Sequence, residues 1–167
     1  MKPSDYKAML WKNGQGQTLE IDRFPETDDR FLWRLSQATI QVDGPFSAYQ
    51  GYDRWLMVWK GPGLFLNQER LGPLQPFHFS GDSESSYRLI GTQVEDIGLI
   101  YDRTKITAQM SLVSGEIFVA PKGLQAVNYL FDLHTGETRR FVEAIRLQVV
   151  QSLLISCRLR SRQEKIE

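Results

Sequence analysis

Along the chain, apolar residues come in short segments that alternate with polar ones, and turn residues break the pattern at close intervals. Few windows carry a helical period. This patterning predicts strands over Thr18–Arg23, Phe31–Val42, Arg54–Lys60, Gly63–Leu66, Pro76–Phe79, Tyr87–Gly91, Glu95–Tyr101, Lys105–Leu112, Gly115–Ala120 and Gln125–Asp132. The punctuation between them is Asn13-Gly14, Asp43-Gly44-Pro45, Gly61-Pro62-Gly63, Ser80-Gly81-Asp82, Ser114-Gly115 and Thr135-Gly136, residues that tolerate or preset turn dihedrals. Many short strands joined by tight turns imply an all-β sandwich or barrel, whose closure would remove exposed edges.

Three stretches read differently. In Phe141–Leu154, Val142, Ile145, Val149 and Leu153 share a helical stripe, while Leu153, Ile155, Cys157 and Leu159 alternate as in a strand. This predicts a short irregular or helical lead-in followed by a final strand from about Ser152 to Leu159. Glu69–Gln75, with Gly72 and Pro73, reads as a loop, and Arg158–Glu167 as a mixed-charge tail that frays into solvent. With no repeat and no low-complexity linker, residues 1–167 read as one unit of two barrel halves, about 1–92 and 93–160. Thr92-Gln93 would be the hinge and 161–167 a mobile tail.

A chain of 167 residues can bury a core without disulfides or metals. Its 20 Lys and Arg balance 20 Asp and Glu, which leaves no global field to gather nucleic acid or an anionic membrane. The first residues, MKPSDYKAMLWKNGQGQ, carry no apolar run behind their positive charge, and the longest apolar stretch, Ser152–Cys157, is strand-sized. A soluble, cytoplasmic protein is expected. The single Cys157 lies in an alternating apolar stretch and reads as a core thiol.

Several chemistries lack their residues. His78 and His134 are isolated, and no HxH, HExxH or CxxC spacing occurs, so neither a metal nor another cofactor is expected. Asn13–Thr18 is glycine-rich but lacks the Lys-Ser/Thr ending of a phosphate loop and precedes a predicted strand. Neither Ser36 nor Ser47 sits in a nucleophile elbow, and Asp28-Asp29 reads as a solvated turn.

The polar residues that stand out lie in the first hundred positions. Strand alternation puts Phe31, Trp33 and Leu35 on one face and Leu32, Arg34 and Ser36 on the other. An inward-facing arginine needs an anionic partner: either a carboxylate ligand gripped bidentately with help from Ser36, or an internal ion pair with Asp53 or Asp96. Asp53 and Arg54 stand at the mouth of a strand that is apolar on both faces, where they line a pocket or pair with neighbours. Trp11, Lys12 and Asn13 set an aromatic, a cation and an amide together, a trio suited to closing over a polar ligand, although Trp11 alone also suits a core plug.

At these residues the sequence resembles the HutD/Ves family. The matching segments are Trp11-Lys12-Asn13-Gly14, Phe31–Ala38, Asp43–Ser47, Gly51-Tyr52-Asp53-Arg54, Pro76–Asp82 and Val94-Glu95-Asp96. The chain departs from the family at Gln15 and Gln17, where the family is richer in glycine, and at Ile97-Gly98, where it commonly has Phe-Asn. The resemblance implies a cytoplasmic cupin-like bicupin β-barrel associated with histidine utilisation or stress response, without established catalysis. It further implies that the protein binds a histidine-pathway intermediate.

These observations lead to a ligand-binding regulator in which Arg34, Ser36, Ser47 and Asp96 hold a small polar or carboxylate ligand, with Trp11 and Asn13 at the rim. Neither nucleic acid nor membrane is an expected partner, and a homodimer is compatible with the chain. The alternative is a metal-free isomerase or lyase with His78 as general base, if it faces the lumen. An interaction module displaying Trp55, Trp59 and Phe65 as an apolar patch is a third reading.

Overall fold

The computed structural model describes residues 1–11, 16–26, 30–120 and 126–160. Among them the structure is all-β: a single 3-10 turn, Pro3–Asp5, and no α-helix. The chain divides into two compact units, one of Tyr6–Asp102 and one of Met1–Asp5 with the chain from Arg103 onward.

The first unit holds β1 (Lys7–Leu10), β2 (Gly16–Phe24), β3 (Trp33–Ile40), β4 (Gly44–Phe46), β5 (Tyr52–Lys60), β6 (Leu64–Leu66), β7 (Glu69–Leu71), β8 (Phe77–Ser80), β9 (Ser85–Leu89) and β10 (Val94–Asp102). A six-stranded antiparallel sheet runs β1-β2-β3-β10-β5-β8 and a four-stranded one runs β4-β9-β6-β7. Strand β10, which the sequence pattern put at the start of a second half, is held between β3 and β5. The two sheets share one apolar core of Ile40, Leu56, Val58, Leu64, Leu66, Leu71, Tyr87 and Val94. The expected closed barrel is not formed: each sheet keeps its own edges, so the arrangement is an open sandwich. Three of the four strands in the smaller sheet are only three residues long, too short a ladder to join the edges of the larger one.

The second unit holds β11 (Ile106–Val119), β12 (Val127–Asp132), β13 (Thr138–Phe141) and β14 (Ile145–Leu159), ordered β11-β14-β12-β13. The Met1 ammonium donates to the Thr138 carbonyl at 2.8 Å, which ties the first residue to β13. Cys157 is buried near the end of β14.

Four expectations are corrected here. The helical lead-in before Ser152 is absent, because β14 runs unbroken from Ile145. The Ser114-Gly115 turn is a bulge within a single strand β11, where Gly115 takes φ of 81° and the register shifts. The loop over Glu69–Gln75 begins as strand β7 and continues with a parallel bridge from Pro73 to Val58. Finally, Arg158 lies in β14 and the Arg160 backbone N–H donates to the Lys105 carbonyl, so the charged tail does not fray before residue 161. Residues 161–167 lie outside the described residues.

Candidate functional site

Both faces of the six-stranded sheet carry buried side chains, and alternation along its central strands sorts them. On β3, Trp33 and Leu35 are buried on one face, while Arg34, Ser36 and Ala38 point to the other. The register then sets these residues in rows across three strands. Ile100 is flanked by Arg34 and Arg54, Gly98 by Ser36 and Leu56, and Asp96 by Ala38 and Val58. The rows, Val58 apart, form the floor of a cavity of about 550 Å³, with walls from Trp11, Thr18, Phe46, Ser47, Tyr49 and Tyr87. That volume suits a small molecule.

Of the residues picked out from sequence, Arg34, Ser36, Ser47, Asp96 and Trp11 all line this cavity. Asn13 lies outside the described residues. Trp11 stands at the wall with its indole N–H donating to Thr18 Oγ1 at 3.0 Å. Gly16 has to be glycine for this, since a Cβ there would come within 2.7 Å of the indole and 2.8 Å of the Thr39 carbonyl. The glycines after Trp11 therefore have a packing reason at Gly16. Ser47 is exposed at the rim, and its carbonyl accepts a hydrogen bond from Arg54 Nη1 at 3.2 Å. Gly98 leaves the floor open: the nearest atoms to a Cβ built there are Ser36 Oγ and the Trp55 carbonyl, both at 4.0 Å.

Arg34 donates to the Tyr49 hydroxyl at 3.0 Å and lies over the Phe31 and Tyr49 rings at 5.3 and 5.5 Å. It makes no ion pair among the described residues, and its buried Nε has no hydrogen-bond partner there. The internal pair with Asp53 is absent because Asp53 lies on the opposite face, 3.5 Å from His78 Nε2. Asp96 is buried, and its Oδ2 likewise has no partner among the described residues. Burial pushes its carboxyl up to about 7, against the opposing pull of Arg54 and a hydrogen bond from the Ala38 backbone. Burial pulls Arg54 down, and Arg34 adds to this, while Asp96 and Tyr49 push it up.

Sequence reasoning left Arg54 open between a pocket wall and an ion pair, and it missed Tyr49. Arg54 lies 4.7 Å from the Phe46 ring and 5.3 Å from the Phe79 ring, on the cavity side. The signal available was parity: Arg54 shares a strand face with Leu56 and Val58, both in the sandwich core.

Other candidates fall elsewhere. His78 is absent from the cavity lining. It contacts the Tyr101 hydroxyl at 2.9 Å and packs on Trp55 on the other face, so it is not the cavity's general base. Trp59 is buried and Phe65 belongs to the smaller sheet beneath Arg88, so Trp55, Trp59 and Phe65 do not make one exposed patch. Among the described residues no three His, Cys, Asp or Glu side chains gather to hold a metal ion, and no helix is long and apolar enough to cross a membrane.

The chain is similar to known proteins over most of its length. The structure of HutD from Pseudomonas fluorescens SBW25, in a formate condition, aligns with a TM-score of 0.77 at 33% identity, covering 96% of this chain and 97% of that one. The conserved protein PA5104 of Pseudomonas aeruginosa PAO1 aligns with the same TM-score at 27% identity and the same coverage. A cupin 2 conserved barrel protein of Leptotrichia buccalis aligns at TM-score 0.50 and 9% identity over 91% of this chain and 92% of that one, a likeness of fold alone. An uncharacterized 21.2 kDa protein in the hutC 3' region of Pseudomonas putida is 40% identical over 121 residues, 69% of this chain, and the match spans 64% of that relative's length. Residues 3–164 match the HutD family, and the chain belongs to that family.

Proposed function

We propose that this protein binds a small carboxylate in the cavity between the two sheets of its first unit and acts as a cytoplasmic regulator responsive to a histidine-pathway metabolite. The observation that carries this reading is a pair of buried, unpartnered polar atoms of opposite character, Arg34 Nε and Asp96 Oδ2, in residues lining one cavity. Buried polar atoms without partners are rare, and each calls for a physical reason. Two guanidinium groups flanking Ile100 supply planar donors suited to a carboxylate. Membership of the HutD family and a relative described by its place beside hutC support the metabolic context. The P. fluorescens structure in a formate condition makes formate the first probe. Thermal shift against formate, acetate and larger histidine-pathway acids tests the reading, since a ligand that binds only the folded state must raise its melting temperature. No stabilisation at tens of millimolar would sink it.

A metal-free isomerase or lyase is the second reading, and one observation favours it. Asp96, with its carboxyl pushed up to about 7, has the affinity for protons that a general base needs near neutrality. Turnover of a bound acid, lost in Asp96→Asn, would establish it; binding without turnover leaves the regulator.

A further inference from the structure

The cavity floor keeps its two kinds of hydrogen-bonding chemistry apart. Arg34 and Arg54, level with Ile100, offer only N–H donors, whereas an ionised Asp96 offers only acceptors. Asp96 is four residues from Ile100 along β10, a separation of roughly 13 Å between their Cα atoms. No ion pair joins Asp96 to either arginine among the described residues, although Asp96 and Arg54 influence each other electrostatically. The row between them is Ser36, Gly98 and Leu56, and at its centre Gly98 contributes no side chain. The floor thus has a donor end, an open middle and an acceptor end.

Building on the carboxylate reading above, we infer that Asp96 is a specificity-determining residue of this cavity: its carboxylate accepts a hydrogen bond from an N–H or O–H of a ligand whose carboxylate Arg34 and Arg54 hold. The ligand lies over Gly98. The class selected is a small carboxylate bearing a hydroxyl, amino or amide donor a few atoms away, such as a hydroxy acid or an amino acid. A plain fatty acid of the same length offers the Asp96 carboxylate no donor, and the site discriminates against it for that reason.

The test compares matched acids by calorimetric or NMR titration: acetate with hydroxyacetate, propionate with 3-hydroxypropionate, and butyrate with 4-hydroxybutyrate. The expected result at pH 8, where Asp96 is ionised, is that in at least one pair the hydroxy acid binds about tenfold tighter, the order of a hydrogen bond to a charged group. In Asp96→Leu that gain disappears, and Asp96→Asn, which keeps one oxygen, retains part of it. Equal affinities within every pair in the wild-type protein overturn the inference while leaving the carboxylate reading standing, as does a gain that survives in Asp96→Leu. If no acid of either kind binds, the carboxylate reading itself fails and this one fails with it.

Discussion

The two ends of the sandwich in the first unit are built on the same strands and have opposite contents. At one end Ile40, Val58, Val94 and Leu64 meet at 0–1% exposure, with the smaller sheet closed over them. At the other, the same faces of β3, β5 and β10 present Arg34, Arg54 and Ile100 to a cavity. Sheet register is common to both ends, so the difference lies in side chains. Interlocking aliphatic groups exclude water at one end, and long cationic groups, which keep their charge only if solvated or paired, hold the sheets' side chains apart at the other. The scaffold's stability and its binding chemistry are thereby separated along a single pair of sheets.

The largest expected effect breaks the closed end. Leu64 is wholly buried on β6 in the shared core. Leu64→Ala should cost roughly 2–5 kcal/mol, read by chemical denaturation, because the short strands around it limit collapse of the space created. A loss under about 1 kcal/mol would mean that the apolar end does not hold the sheets together.

The next concerns the row where the two ends meet, at Asp96. Its carboxyl is neutral in the folded protein up to about pH 7 but ionises near its ordinary value of 3.8 when unfolded. Between those values the folded state holds a proton that the unfolded state has lost, so stability falls as pH rises through the window and the penalty is complete above pH 7. Asp96→Asn removes the titration while keeping an oxygen for the Ala38 backbone N–H. Measured against the wild type, the variant should gain progressively from pH 4 to 8, by about 4 kcal/mol at most. A constant difference across that range would show that Asp96 titrates normally.

Arg34→Met tests the open end alone. The substitution deletes the guanidinium and its hydrogen bond to Tyr49 but keeps an apolar stem near Phe31. Since the arginine neutralises no carboxylate among the described residues, the stability of the ligand-free protein should change by no more than about 1 kcal/mol, whereas breaking a buried ion pair would cost several times that. The thermal response to formate or acetate should vanish. Severe destabilisation with an intact response would reverse the assignment.

How much of this could be read from the chain depended on the range of the information. The alternation in Phe31–Ser36 put Arg34 and Ser36 opposite Trp33, as found, because side-chain direction in a strand is set by the neighbouring residues. The convergence of Arg34 and Arg54 on Ile100 was not legible, since it requires β10 to lie between β3 and β5, a pairing across some forty residues or more of sequence. The helical stripe before Leu154 has a local cause: opposite Val113 and Gly115, β14 carries an inserted residue between Val149 and Ser152. The bulge turns the alternation over, so Val149 shares a face with Ser152 and Leu153 faces the other way; both faces are buried there, and apolar residues four apart mimic a helical stripe. Strands β1, β4, β7 and β13, each three or four residues long, are too short to register as a period.

The smallest expected effect on stability is also the sharpest test of where a ligand lies. Gly98 is in mid-strand at a dihedral that needs no glycine, and a Cβ there meets nothing closer than 4.0 Å. A side chain should therefore be tolerated, and replacing a strand glycine removes backbone freedom from the unfolded chain, a gain of up to about 1 kcal/mol. Gly98→Val would place two methyl groups on the cavity floor between the arginines and Asp96, so the folded protein should keep or slightly raise its melting temperature while losing its response to acids larger than formate. Formate, which needs only the arginine end, should still bind. If every acid binds the valine variant as it binds the wild type, the ligand does not cross the Gly98 row, and the open middle of the floor is not part of the site.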